Sequence, residues 1–382
     1  MRAGRKRTKR SLPAAVSAAA ISVLCNDDLL REILIRLDFP TCLVRAAAVC
    51  KAWLRQASDP AFLRRFRDLH PPRLLGFYFH TGSGFFQRLR FVPMPQPREL
   101  AAVIRRARVR FDLGDGPLAV SDCRNGRLIV LNWGKFQVRS PLHPARGTTA
   151  VPKLYTHDTA FRPLLPEGAD DCTTVALMRD DQRGWIHVYE SQDGAWGKRR
   201  ASHLIHLPEE WRNCAFGLLA YGKLYMYRMV GYILGLDLAS RSFFQIQLPE
   251  GVEYESDVNL VMSRAEGCGF YLICAKDFEI LVWHHSTGCS TGNWELADSI
   301  CLIKVLGNLV DPLFWLSRDL TVRVSAGGDN ADFVFLQIEH KVFYMHIRSR
   351  AVEKVHDLQS SELDFDIHPF LMVWPPTFPA LS

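Results

Sequence analysis

The spacing of apolar and polar positions changes once along this chain, near residue 70. Before that point it is helical. Leu29, Leu30, Ile33, Leu34 and Leu37 form a stripe at i, i+4 and i+8 with a second row beside it, the pattern of an amphipathic helix. Asn26 or Asp27 is placed to cap it, and Asp28 sets a carboxylate near the positive helix end. Pro40 is expected to end that helix and Thr41 to cap a second, through Leu43, Val44, Ala46–Val49, Cys50, Trp53 and Leu54. A third is expected from Ser58-Asp59-Pro60 through Phe62, Leu63 and Phe66. Three helices in about 43 residues stand near the lower size limit for independent stability. Two leucine rows exceed what so small a unit can cover, so the surplus apolar face is expected to dock on a partner or on the next domain.

Pro71 and Pro72 break the helical spacing and make 67–73 a junction. Beyond it, short runs rich in aromatic and β-branched residues alternate with turn signals, the pattern of repeated hairpins. The runs include Leu128–Leu131, Thr174–Met178, Trp185–Tyr189, Leu224–Tyr227, Tyr232–Leu236, Phe270–Ile273, Glu279–Trp283, Phe333–Leu336 and Val342–Met345. Turns are signalled at Asn125-Gly126, Asp193-Gly194, Gly222-Lys223 and Gly327-Gly328. Arg98–Arg108 is the main exception, a short connecting helix. A weak repeat runs through this part, in which a strand enters a polar turn and then an aromatic or apolar landing. Its serine anchors are Ser140, Ser191, Ser240, Ser286 and Ser349, separated by 51, 49, 46 and 63 residues. A period near 50 with two hairpins per unit is that of β-propeller blades, and the length after the junction holds about six. A two-sheet β-sandwich is the alternative.

Composition narrows the classes. The chain has 382 residues, 48% hydrophobic and 23% charged, as in ordinary globular proteins. Of the net +7, six charges lie at Arg2, Arg5, Lys6, Arg7, Lys9 and Arg10. The nearly neutral body is therefore not marked as a nucleic-acid surface. Residues 1–23 read as a basic and Ala-rich solvated tail, with nuclear import as the sharper alternative. A signal peptide is disfavoured, since its apolar part is mostly alanine broken by Ser17 and Ser22. Ten scattered cysteines without C-x-x-C spacing or glycosylation sequons fit a reducing compartment, the nucleus or cytoplasm. No apolar run reaches the ~18 residues of a membrane span.

Catalytic chemistry is not signalled. Gly288-Cys-Ser290-Thr-Gly292 has nucleophile-elbow spacing, but it sits at a repeat turn with no helix after it. Gly82-Ser83-Gly84 lacks a phosphate-loop lysine. His284 and His285 are adjacent, so on a strand they face opposite sides and cannot share a metal. Asp170-Asp171 and Asp180-Asp181 lack the further oxygens of a calcium loop. Arg105, Arg106, Arg108 and Arg110 form a basic patch, read as a solvated face that could also touch an acidic substrate. No metal and no cofactor is implied.

The residues of the first part resemble the F-box family. The likeness is carried by D-D-L-L-x-E-I-L-x-R-L at 27–37, L-x-R-x-x-x-V-C-K-x-W at 43–53 and S-D-P-x-F-L-R-R-F at 58–66. The run from Ile21 to Ala46 is similar to a grass-type plant subfamily, and the fragments Val120–Leu128 and Trp185–Trp196 resemble the propeller-like domain behind plant F-boxes. The chain departs from the family at Leu24-Cys25-Asn26, where a Leu-Pro dipeptide is usual, which puts that adaptor contact in question.

The resemblance implies a mainly β protein with an N-terminal α-helical module. A tail at 1–23 leads into an F-box at 24–66, a linker at 67–73 and a β-propeller-like recognition domain at 74–382. It implies a noncatalytic substrate receptor of an SCF-type ubiquitin ligase. The F-box would bind a Skp-type adaptor, and through it a cullin, while the β domain binds an unidentified target protein. The adaptor contact would fall on Leu24, Leu29, Leu30, Ile33, Leu34, Leu37, Pro40, Leu43, Val49 and Trp53, with interface and internal core not separated. The rivals are a noncatalytic ligand- or glycan-binding β domain acting outside the ligase, and an enzyme built on the propeller, for which the sequence names no convergent ligands.

Overall fold

The computed structural model describes residues 23–81, 88–111, 118–133, 135–143, 148–150, 165, 172–180, 183–192, 195–198, 203–206, 215–227, 231–240, 242–253, 259–267, 269–286, 293–316, 322–358, 366–376 and 378. It divides into two compact units. One holds the helices up to Arg73 together with the segment from Val373, and the other runs from Leu74 to Met372.

Between Asp27 and Leu69 the first unit has four helices, α1 (Asp27–Leu34), α2 (Pro40–Ala47), α3 (Lys51–Ala57) and α4 (Pro60–Leu69), rather than three. The second apolar run breaks between Ala47 and Lys51, so it yields two short helices. Pro40 does not terminate the first helix. It opens α2 at its first turn, where its missing N–H costs nothing. Phe39 then occupies the cap position without a side-chain bond, and Thr41 is not the cap. Asn26 caps α1, its Oδ1 accepting from the N–H groups of Asp28 and Leu29, each at 3.0 Å. Asp59 caps α4 by accepting from the Phe62 N–H at 2.8 Å. That helix runs on through Leu69 into the expected linker.

The core of this unit is Leu30, Leu34, Ile35, Leu43, Ala47, Ala57, Phe62 and Phe66. Trp374 and Phe378 pack against it, and the Trp374 ring stacks on Phe66 at 5.9 Å and 7°. The expected β domain at 74–382 therefore loses its last residues to the helical unit. Trp374 and Phe378 thus cover part of the core that 30–66 forms.

The second unit is built of six sheets. Five are four-stranded, and one is three-stranded. β1 (Leu74–Thr81) and β2 (Arg88–Pro93) are followed by α5 (Arg98–Phe111). The next sheet is β3 (Leu118–Arg124), β4 (Arg127–Asn132), β5 (Lys135–Arg139) and β6 (Thr148–Ala150). Then come β7 (Cys172–Asp180), β8 (Arg183–Gln192), β9 (Ala195–Lys198) and β10 (His203–His206), in which β9 and β10 both pair with β8. The following sheet is β11 (Ala215–Ala220), β12 (Lys223–Tyr227), β13 (Tyr232–Asp237) and β14 (Phe243–Gln247). After it stand β15 (Leu260–Arg264), β16 (Phe270–Lys276), β17 (Glu279–His285) and β18 (Trp294–Cys301). A short helix, α6 (Leu302–Leu306), leads to β19 (Arg323–Gly327), β20 (Phe333–Ile338), β21 (Lys341–His346) and β22 (Val352–Asp357). Last, β23 (His368–Leu371) returns to pair with β1, giving the order β2-β1-β23.

About six blades were expected. Five complete four-stranded blades are present, and the sixth sheet has three described strands. A sandwich of two sheets is not what forms. β23 lies against both β3 and β19, so the strand from the far end of the unit touches the sheets on either side of its own. Such closure leaves few free edges.

The sheets pack face to face through apolar side chains. Phe77 and Phe79 meet Phe335 and Val342, Tyr225 and Ile233 meet Met262 and Phe270, and Ile273 and Val282 meet Val334 and Leu336. Because middle strands are covered on both faces, β20 is buried at every position, while the outer β22 is mostly exposed or half-buried. Ser263 of β15 ties two sheets together. Its hydroxyl donates to the Gly328 carbonyl at 2.5 Å and accepts from the Ala331 N–H at 3.2 Å. Cys123 donates its thiol to the Pro369 carbonyl at 3.0 Å, joining β3 to β23. Burial, and secondarily Asp122, push that thiol well above its ordinary value against the pull of Arg124, so it stays protonated.

Four of the five repeat anchors mark equivalent places. Ser140, Ser240, Ser286 and Ser349 lie between the third and fourth strands of their sheets, and Ser191 lies where β8 turns into β9. The longest spacing, before Ser349, contains α6 and the short helical turn Phe314–Leu316.

Candidate adaptor-binding surface

The ten sequence-predicted contact residues separate by burial. Leu30 and Leu34 are 1% and 0% exposed and Leu43 is 0% exposed, and Pro40 is buried with them. They form the inside of the helical unit and present nothing to a partner. Leu37 and Trp53 are half-buried and pack against the same core, and Leu24 is half-buried. Leu29, Ile33 and Val49 are 46%, 39% and 64% exposed. Leu29 and Ile33 are one helical turn apart on α1, so their side chains are neighbours on one face. Val49 stands between α2 and α3. With Val23 and Leu69, also exposed, they are the large apolar side chains that the core of this unit leaves out among the described residues.

Polar ties hold the helices that display them. The Arg31 Nε donates to the Gln56 Oε1 at 2.6 Å, joining α1 to the buried amide of α3. Arg31 also lies 3.8 Å from Asp59. Glu32 takes Arg36 at 3.1 Å and Arg65 at 3.2 Å, and Arg55 lies 3.5 Å from Asp27. These surface pairs contribute little each. His70 Nε2 sits 2.8 Å from the Ile35 carbonyl, and Arg73 covers the Phe39 ring at 4.6 Å. Sequence reasoning missed Gln56, Trp374 and Phe378. Gln56 gave no signal. The two aromatics did, since they follow the last strand in a Pro-broken tail that has no strand of its own to serve.

The other singled-out motifs go elsewhere. Gly288–Gly292, Gly82–Gly84, Asp170-Asp171, Asp193-Gly194 and the basic tail lie outside the described residues. His284 rests on Tyr271 at 4.8 Å and His285 on Phe270 at 5.2 Å, so the two rings point to different neighbours. Among the described residues no group of three or more His, Cys, Asp or Glu side chains could hold a metal, and no helix is long and apolar enough to cross a membrane. The six cysteines whose side chains are described are free.

A small helical module with exposed leucine, isoleucine and valine, joined to a propeller of antiparallel blades, defines a class of modular recognition proteins. The chain matches the F-box domain over residues 24–65 and the "F-box protein AT5G49610-like, beta-propeller" family over 119–378. It belongs to that family of plant F-box proteins with a C-terminal propeller. The Arabidopsis thaliana "Putative F-box protein At3g16210" is 22% identical over 232 residues, 60% of this chain and 62% of that protein. The match thus spans less than two thirds of that relative's length. Among solved structures, Kluyveromyces lactis Hsv2 aligns with a TM-score of 0.33 and 12% identity, covering 64% of this chain and 67% of that one. The Myceliophteria thermophila Cps50 (Swd1) beta-propeller domain aligns at 0.39 and 11%, covering 76% and 90%. F-box domains in general bind Skp1-type adaptors, and both families are in general noncatalytic.

Proposed function

We propose that this chain is a noncatalytic substrate receptor of an SCF-type ubiquitin ligase. Its helical module holds a Skp-type adaptor, and through it a cullin, while the propeller binds a target protein and raises the effective concentration of its lysines near the conjugating enzyme. The observation that carries this reading is the exposure of Leu29, Ile33 and Val49 on a module whose core closes without them. Exposed aliphatic groups of this kind supply interface area, and a partner that covers them recovers their burial energy. The protein is placed in the nucleus, the cytoplasm or both, with the basic cluster Arg5–Arg10 as the candidate import element.

The test is a pulldown of purified chain with a Skp-type adaptor, comparing wild type with Leu29→Asp/Ile33→Asp. Both positions are exposed, so the variant keeps the helical circular-dichroism signal and loses capture at least tenfold. Equal capture by the folded variant would show that the contact lies elsewhere. Failure of folded wild type to bind would remove the ligase reading and trace to the Cys25-Asn26 departure from Leu-Pro.

A further inference from the structure

Among the described residues the three-stranded sheet of the propeller has one strand fewer than the other sheets. Its inner strand is β23, which touches β3 and β19, so from the inside outwards the sheet reads β23, β1, β2. In the other blades a fourth strand follows. Here Pro95 and Pro97 interrupt the chain and α5 forms instead. Among the described residues no strand pairs with β2 on its outer side.

The hydrogen-bonding groups of that edge can be assigned. The Met94 N–H donates to the Leu75 carbonyl at 3.0 Å, on the β1 side. Backbone groups alternate sides along a strand, so those of Val92 and Arg90 also face β1, and those of Leu89 and Phe91 turn outwards. Pro93, in the same outward set, has no N–H to leave unpaired.

A cavity of about 800 Å³ runs beside this edge. Leu89, Arg90 and Phe91, three successive residues of β2, all line it, beside the groups that Leu89 and Phe91 turn outwards. Ile104 and Phe111 of α5 complete an apolar wall, with Phe111 stacked on Phe91 at 4.4 Å. Arg105 lines it too, and Arg90 and Arg105 are both exposed. Neither has a carboxylate partner among the described residues.

Charge decides what fits. Residues 88–111 hold seven arginines, at 88, 90, 98, 105, 106, 108 and 110, against the single acid Glu99. Of these, Arg90 and Arg105 stand exposed beside the cavity. Like charge on paired edges is repulsive, so the arginines oppose pairing between two copies of the chain and favour a strand rich in carboxylates.

We propose that the outer edge of β2 and its cavity receive an extended segment of the target protein, acidic and apolar in alternation, as the fourth strand of this sheet. Its backbone pairs with Leu89 and Phe91, its apolar side chains enter the cavity, and its carboxylates meet Arg90 and Arg105. The inference rests on the substrate-receptor reading and names the chemistry that reading leaves open.

The test uses the full chain and a fluorescein-labelled nonapeptide of alternating glutamate and leucine. Three companions are its lysine-for-glutamate counterpart and two forms N-methylated either at every leucine or at every glutamate. Fluorescence anisotropy is expected to show saturable binding of the acidic peptide and at least tenfold weaker binding of the lysine peptide. N-methylation of one of the two alternating sets should weaken binding at least tenfold, because it removes the donors facing β2. Arg90→Glu/Arg105→Glu should weaken it at least tenfold while leaving adaptor capture unchanged. No binding of the acidic peptide by a chain that captures the adaptor would overturn this proposal and leave the ligase reading standing. Undiminished binding by the arginine variant, or by both N-methylated peptides, would also overturn it.

Discussion

Removing the Trp374 side chain is expected to loosen the helical module and nothing else. Its ring stacks on Phe66, which is 0% exposed, and with Phe378 it covers the core formed by α1, α2, α3 and α4. A fully enclosed tryptophan buries about 150–250 Å². Trp374 is half-buried, so about 100–150 Å² is at stake, or about 2.5–4 kcal/mol at ~25 cal/mol per Å². Stacking adds about 0.5–1.5 kcal/mol, and the retained Cβ with partial collapse of the site returns a similar amount. The expected loss is therefore about 2–4 kcal/mol. For a unit of this size total stability is about 3–8 kcal/mol, so the loss is a large share of it. Hydrogen exchange read by mass spectrometry is the assay, because it resolves the two units separately. In Trp374→Ala the slowest amides of 27–69 should exchange about 30- to 700-fold faster, since ~1.4 kcal/mol is tenfold. Amides of 260–285 should not change, and Trp374→Phe should restore most of the protection. Exchange in 27–69 within threefold of wild type would refute the claim that the chain's aromatic end covers part of this core.

Three further outcomes follow from the blades. Ser263→Ala strands the buried Gly328 carbonyl and Ala331 N–H that its hydroxyl serves, and should lower denaturant stability of the propeller by about 1–3 kcal/mol without changing the m-value. His285 is buried against Phe270 and Trp294, and burial, then the neighbouring His284, lowers its pKa below the ordinary value near 6.5. The unfolded chain therefore takes up this proton first, so stability falls as pH drops below ~6.5; His285→Phe should flatten that fall in chemical-denaturation midpoints measured from pH 7.5 to 5. Cys274 is buried and its thiol is pushed up to about 11 by desolvation, whereas Cys25 and Cys50 are exposed; native-state alkylation at pH 7.5 followed by peptide mapping should label the latter two and spare Cys274.

Much of this architecture was written locally. The nine apolar and aromatic runs picked out by their spacing all fall within strands, and the Asn125-Gly126 pair does form a turn with both residues at positive φ. The Gly222-Lys223 signal was displaced by one residue, since the turn uses Tyr221 and Gly222. Most glycine-free turns left no mark. Asp277 and Phe278 take the same left-handed conformation without a glycine, held by the pairing of β16 and β17 around them. A helix over Arg98–Arg108 was visible, and it runs to Phe111, but its consequence, a sheet with three described strands, required knowing that β23 would come back to β1.

The adaptor surface shows where local reading stops. Leu29 and Leu30 are adjacent, chemically identical and about 100° apart around α1, yet one is 46% exposed and the other 1%. Periodicity finds both rows, because both are apolar, and gives no reason to turn either one inward. That choice is made by contacts distant in sequence: Gln56 accepting from Arg31, Phe62 and Phe66 arriving from α4, and Trp374 arriving from the far end of the chain. Each of them packs or bonds on the Leu30–Leu34 side, so that row becomes core and Leu29–Ile33 is left for a partner. A motif written in leucines can therefore mark an interface without telling which leucines are the interface, and only the packing of the remote residues divides them.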